Sequence, residues 1–245
     1  MTGLILSALA VVWVVVQGAG FSDLLVRSVC TLGLVPGELT GRAAINDGIA
    51  IAPGLFCAVD AEPINWATPV LSMFLHGSWG HLLGNALFLW VFGNNVEDVM
   101  GAPRFLAFYL LCGLAAAGAH IAVDPASKIP TVGASGAISG VMGAYLVLFP
   151  QVRVRMLFVL PPFFRVVPVA AWLVLVWWLV LQVLVGLPQL AGLGDPRGGV
   201  AVWAHVGGFV AGAFLVRAFE RADLVERRRA MLLQRGLLGD PGDRL

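Results

Sequence analysis

Residues 131–140 read Thr-Val-Gly-Ala-Ser-Gly-Ala-Ile-Ser-Gly, a small-residue turn around Ser135 inside a stretch, 129–152, that carries no charge. Gly136, Gly140 and Gly143 recur every three to four residues, so on a helix they share one stripe. Such stripes let helices in lipid approach closely. Seventy residues later a second uncharged stretch holds His205 in Ala-His-Val-Gly-Gly, with Gly208 and Gly212 at the same helical spacing. Polar side chains in apolar segments are costly and default to a functional reading. A serine and a histidine are the minimal set for nucleophilic catalysis, the imidazole taking the hydroxyl proton.

Working outward, the whole chain has this character. It is 59% hydrophobic and 12% charged, with mean hydropathy +0.90, against about 25% charged residues in a soluble domain. Runs free of Asp, Glu, Lys and Arg cover 1–22, 63–96, 105–123, 129–152, 166–194 and 198–216. Each is long enough for a helix of about 20 residues that spans the hydrocarbon core. The fold expected is all-α: a polytopic membrane protein with six transmembrane helices. A shorter run, 49–59, contains Pro53 and Gly54 and reads as an interfacial or loop piece. No Lys or Arg precedes Arg27, so the first run reads as a retained helix rather than a secretory signal.

With the first end inside, the inner segments hold eleven arginines: Arg104, Arg153, Arg155, Arg165, Arg217, Arg221, Arg227, Arg228, Arg229, Arg235 and Arg244. The outer loops hold four basic residues, Arg27, Arg42, Lys128 and Arg197. The positive-inside rule then places both ends in the cytoplasm of a multi-pass protein of the cell membrane. Residues 1–219 read as the membrane domain and 220–245 as an arginine-rich tail, cytosolic or lying as a surface helix. The first outer loop, about 23–65, is long enough to be functional or structured. It carries Cys30 and Cys57, where an oxidising compartment would permit a disulfide; the sequence does not fix their separation. Cys112 reads as a small core residue. Pro150, Pro161 and Pro162 bracket a basic inner loop, and Pro188 to Gly199 reads as a flexible outer one.

Taken alone, Ser135 is another small packing residue. Its place five residues after Pro130, at a helix start, changes that reading. Free N–H groups and the positive dipole end would stabilise an anion forming there. Ser139, one turn deeper, reads as packing. His81 and Asn85 are four apart and share a helix face. Both can donate hydrogen bonds, as oxyanion-hole side chains do, at about 2.7–4 kcal/mol per donor. The competing readings are a metal site or a polar lock between helices. The first is weak, because the chain has no His-Glu-x-x-His and no carboxylate in any of the six runs. No metal or cofactor is expected. His76 falls off the His81 face and is placed at the helix mouth. His120 has no evident partner. With no Asp or Glu in a span, the expected machinery is a Ser135–His205 dyad.

These residues together resemble the rhomboid family of intramembrane serine proteases. The resemblance covers about 1–219 and rests on His-x4-His-x3-Asn at His76, His81 and Asn85, Gly-x-Ser-Gly at Gly133 to Gly136, and Ala-His-x2-Gly-x3-Gly at Ala204 to Gly212. It implies a six-helix rhomboid-like bundle. It also implies that Ser135 is the nucleophile and His205 the general base, with His81, Asn85 and the Ser135 N–H as the oxyanion hole. His76, Gly133 and Gly136 would support the site, and Gly140, Gly143, Gly208 and Gly212 would pack the helices. The sequence departs from the family at Trp66, which is followed by Ala67 where many members carry Trp-Arg.

The partners implied are single-span or multi-span membrane protein substrates and the lipid bilayer, not nucleic acid; the oligomeric state is not legible. The alternative is a non-catalytic membrane protein that binds transmembrane helices and steers their folding or degradation. The fifth run, bulky with Trp172, Trp177 and Trp178 and without a glycine stripe, is the expected side of substrate access.

Overall fold

The computed structural model describes residues 1–52, 55–59, 64–160, 163–190 and 201–237. Its helices are α1 (Thr2–Val16), α2 (Ser22–Leu32), α3 (Pro36–Leu39), α4 (Thr68–Leu71), α5 (Trp79–Phe88), α6 (Asn94–Met100), α7 (Ala102–Val123), α8 (Ser135–Leu148), α9 (Ala171–Leu190), α10 (Val202–Phe219) and α11 (Ala222–Gln234). A π turn, Leu89–Gly93, joins α5 to α6, so the chain stays helical from 79 to 100. Gly101 then takes φ +79, a conformation that favours glycine, and Pro103 falls in the first turn of α7.

Three helices, α7, α9 and α10, are long and apolar enough to cross a membrane, and α1 and α8 are shorter apolar helices. Helix α8 has 14 residues, about 21 Å at 1.5 Å per residue, less than the ~30 Å hydrocarbon core. The uncharged run 129–152 is longer than its helix because the turn through Pro130 and Gly133 delays the helix start. Ser135 therefore begins a helix that is short for a bilayer.

Helix α8 is the centre of the molecule. Ten consecutive residues, 136–145, are buried. Its glycine stripe meets that of α10. A Cβ at Gly208 would overlap the Gly136 carbonyl, one at Gly212 the Gly140 backbone, and one at Gly143 the Phe209 carbonyl. On its other side Gly136 and Gly140 admit Ala116 and Cys112 of α7. Lipid tails are as apolar as leucine, so close backbone packing, rather than escape from water, holds such helices together. Phe105, Phe108 and Tyr109 of α7 complete this core, all fully buried. The outer faces carry Leu83, Leu87, Trp90, Trp177 and Phe214, all exposed and apolar.

The all-α expectation needs two corrections. Residues 49–59 are not a plain loop: β1 (Gly48–Ala52) and β2 (Leu55–Ala58) pair antiparallel, with Ile49 opposite Cys57. Pro53 and Gly54 lie outside the described residues. The segment expected as a basic inner loop is likewise a hairpin, β3 (Arg153–Leu160) with β4 (Phe163–Ala170). Val, Phe and Ile favour a pleated surface, and Pro168 is tolerated because a two-stranded sheet leaves edges free. The fifth helix consequently starts at Ala171, not Val166, and runs through Pro188 to Leu190. Of the expected outer loop Pro188 to Gly199, 191–199 lies outside the described residues.

The segment expected as the first outer loop is anchored in three ways. Cys30 and Cys57 form a disulfide that ties α2 to β2, with Cα atoms 5.3 Å apart. Leu34 and Thr131 exchange backbone hydrogen bonds at 2.9 and 2.8 Å, and the Gly37 N–H donates to the Ser127 carbonyl. Lys128 pairs with Asp47 and holds that carboxyl below its usual pKa. The loop is thus stitched to the turn that leads into Ser135.

The tail helix α11 is more than a solvated charge run. Arg228 pairs with Asp98 at 3.0 Å and donates to Asn95, while Val225 and Leu232 are buried.

Candidate active site

Ser135 is the first residue of α8, so its N–H has no partner within the helix. Its Oγ stands 2.8 Å from Nε2 of His205, which lies in the first turn of α10. The glycine contact between α8 and α10 sets this distance: Gly136 and Gly208 lie one and three residues beyond the two side chains, and their backbones touch. Ser139 Oγ donates to the Ser135 carbonyl at 2.6 Å, which fits its reading as a packing residue that also fixes the first turn.

His81 and Asn85 face the same point from α5. Gly133 has φ +127, and a Cβ there would lie 2.7 Å from His81 Nε2 and 3.6 Å from Asn85 Nδ2. Both the backbone angle and the space require glycine. The Gly77 N–H donates to His81 Nδ1 at 3.3 Å, so the ring of a neutral His81 carries its proton on Nε2. Ser78 caps α5 by accepting the His81 N–H. Asn85 Nδ2 is buried and has no hydrogen-bond partner.

His76 precedes α5 and is completely buried, its ring edge-on to His81 with centroids 5.0 Å apart. It thus stands at the mouth of α5, off the helix face that carries His81, with the bend before α5 turning its ring toward that of His81. The reading of His120 is corrected. It is buried, lines the cavity, and its Nε2 is 2.9 Å from Thr131 Oγ1, at the turn that precedes Ser135.

Sequence reasoning passed over three residues. Gln17 of the first run is fully buried; its amide accepts the His76 N–H and donates to the His76 carbonyl, both at 2.8 Å. Gln182 of α9 places Oε1 2.9 Å from His205 Nδ1. Trp178, singled out in the sequence only for its bulk in the fifth run, turns inward: its ring lies 5.8 Å from that of His205 and stacks on Phe209 at 6.0 Å. The signal was present, since Gln17 and Gln182 are amides deep in apolar runs.

A cavity of about 1020 Å³ joins these groups, lined by His81, Asn85, Gly133, Ser135, Trp178 and His205 among others. Helix α9 forms one wall and is the least embraced of the long helices, 17% buried against 39% for α7 and 33% for α10. Its single glycine contact inside the bundle is Gly186 against Trp203.

Comparisons with known proteins show the family to which the chain belongs. A domain model described as "Rhomboid domain" matches residues 63–221. The chain is 31% identical over 170 residues to "Rhomboid protein 1, mitochondrial" of Saccharomyces cerevisiae, covering 66% of this chain and 44% of the yeast protein. It is 40% identical over 81 residues to "Rhomboid protease GluP" of Bacillus subtilis, covering 33% of this chain and 15% of that protein. It is 31% identical over 110 residues to the human "Presenilin-associated rhomboid-like protein, mitochondrial", covering 44% and 29%. The chain therefore spans less than half the length of these relatives. The domain match takes in His76, His81, Asn85, Ser135, Gln182 and His205 together, and this integral membrane protein belongs to the rhomboid family.

Proposed function

We propose that the chain is an intramembrane serine endopeptidase that cuts transmembrane segments of other membrane proteins. The observation that carries this reading is the 2.8 Å contact between Ser135 Oγ and His205 Nε2 at the wall of a cavity. His205 takes the hydroxyl proton as Ser135 Oγ attacks the scissile carbonyl. The oxyanion of the tetrahedral intermediate is received by the His81 Nε2–H, the Asn85 Nδ2–H and the Ser135 N–H. An unpaired buried amide donor costs stability; at Asn85 it leaves the Nδ2–H free to receive the oxyanion. The intermediate collapses to an acyl-enzyme as the C–N bond breaks and His205 protonates the leaving amine. Water, deprotonated by His205, then releases the acid and restores Ser135.

In this reading the six uncharged runs form a six-span domain, 1–219, with 220–245 as a cytoplasmic tail. The protein sits in the cell membrane with both ends cytoplasmic, consistent with the eleven-to-four distribution of basic residues. Substrates carry Ala, Gly or Pro near the outer end of their span, because a carbonyl locked in a helix must be unwound before it is attacked. The test is labelling with a fluorophosphonate in detergent. Label on the peptide containing Ser135, lost in His205→Ala, is the expected result. An unlabelled Ser135 in folded protein would overturn the assignment.

A further inference from the structure

His205 is held at both nitrogens, by two different helices. Nε2 meets Ser135 of α8 and Nδ1 meets Gln182 of α9. A neutral imidazole has one N–H and one lone pair, so one contact is a donation and the other an acceptance. The free histidine side chain in water favours the proton on Nε2, which would leave no base facing the serine. Something must hold the proton on the far nitrogen. In many serine proteases a carboxylate does so; here the uncharged runs contain none. The titratable groups that act electrostatically on His205 are His81 of α5 and His120 of α7. The carboxylate among the described cavity-lining residues, Asp124, stands beside His120.

We propose that Gln182 is the positioning residue of the dyad: its amide oxygen accepts the His205 Nδ1–H and so keeps the Nε2 lone pair on Ser135. Trp178, one helical turn before Gln182 on the same face of α9, braces the ring plane against rotation. A neutral amide performs this without burying a charge in lipid, where an unpaired carboxylate is costly. The proposal rests on the endopeptidase reading and deepens it. It also gives α9 a part in catalysis: the helix that walls the cavity is the one that sets the tautomer of the base.

The experiment has two arms, so that this proposal and the endopeptidase reading can fail separately. In the first, ¹⁵N-histidine protein in detergent is compared as wild type, Gln182→Leu and Gln182→Glu, with the His205 signals assigned by their loss in His205→Ala. The ring-nitrogen shifts give the tautomer whether or not the protein cleaves anything. The expected result is an Nδ1–H tautomer in the wild type that shifts toward Nε2–H in Gln182→Leu. In the second arm, cleavage of a single-span reporter is followed across pH.

Gln182→Leu should lower kcat by about 10- to 100-fold with little change in KM. That is less than the ~10⁴-fold loss seen when a triad carboxylate is neutralised, since a neutral amide stabilises the imidazolium less. Gln182→Glu keeps the acceptor and should recover activity at high pH, with its acid limb moved upward because a carboxylate favours protonated His205. A wild-type His205 with its proton on Nε2 overturns the proposal. So does a Gln182→Leu chain with unchanged tautomer, or a Gln182→Glu chain as slow as Gln182→Leu at every pH. A wild type that shows the Nδ1–H tautomer but cleaves no reporter supports the positioning contact and counts against the endopeptidase reading alone.

Discussion

Gly136 of α8 and Gly208 of α10 touch backbone to backbone, and a single methyl group on Gly208 would overlap the Gly136 carbonyl. Each lies within three residues of a member of the Ser135–His205 pair, so the glycine crossing of α8 and α10 is also what brings the two side chains together. The packing of this bundle and the geometry of its candidate site are one and the same feature.

This relationship makes Gly208→Val a sharp test. The larger side chain must push α10 away from α8, at a cost of about 1–3 kcal/mol for overpacking. We expect a lowered Tm in detergent and loss of cleavage, because an increase of even about 1 Å in a reacting contact costs on the order of 10²-fold. Full activity in Gly208→Val would show that the glycine contact does not set the Ser135–His205 distance.

His81→Ala and Asn85→Ala should act on turnover. Each removes one donor to the oxyanion, so kcat should fall by about 10²–10³-fold with KM nearly unchanged. Steady-state kinetics on purified variants checks this. A rise in KM at constant kcat would assign the pair to substrate binding instead.

Helix α9 is the loosest wall of the cavity, so a transmembrane substrate should pass between α5 and α9. Cysteines engineered on the cavity faces of these helices, in a Cys112→Ala background that keeps the Cys30–Cys57 disulfide, can be joined with a bismaleimide. The lock should stop cleavage of a transmembrane reporter and spare a soluble unfolded peptide. Undiminished cleavage of the transmembrane reporter would place access elsewhere.

The disulfide links the topology to a chemical readout. In intact cells, an impermeant maleimide should label Cys30 and Cys57 only after reduction, and should not reach a cysteine engineered into α11. Labelling of α11 from outside would reverse the orientation. Removing the cross-link, which closes a loop of 27 residues, should destabilise the outer loop by up to about 3–4 kcal/mol, seen as faster proteolysis around residues 40–58.

The sequence was most readable where a residue type is unusual for its surroundings. Ser135, His205, His81 and Asn85 stand out because polar groups are scarce in apolar runs, and glycine spacing indicates which helices meet. Helix lengths were less readable: an uncharged run marks what lipid tolerates, whereas the start of α8 is set by the turn at Gly133 and that of α9 by the strand before it. The hairpins were missed because strand pairing depends on a partner segment, and a Val- and Phe-rich run suits either a strand or a buried helix. Gln17 and Gln182 belong to no spacing pattern. Each partner lies on a different segment, His76 for one and His205 for the other, and only the folded chain brings them together.

The central claim is that Ser135 attacks peptide bonds of membrane-spanning substrates. Its most direct test is cleavage of a panel of single-span reporters by the purified protein in liposomes, with wild type beside Ser135→Ala. The account predicts that wild type cuts reporters bearing small or helix-breaking residues near one end of their span, and that Ser135→Ala, equally folded, cuts none. Cleavage retained in Ser135→Ala, or every reporter left intact by the wild type, would contradict it.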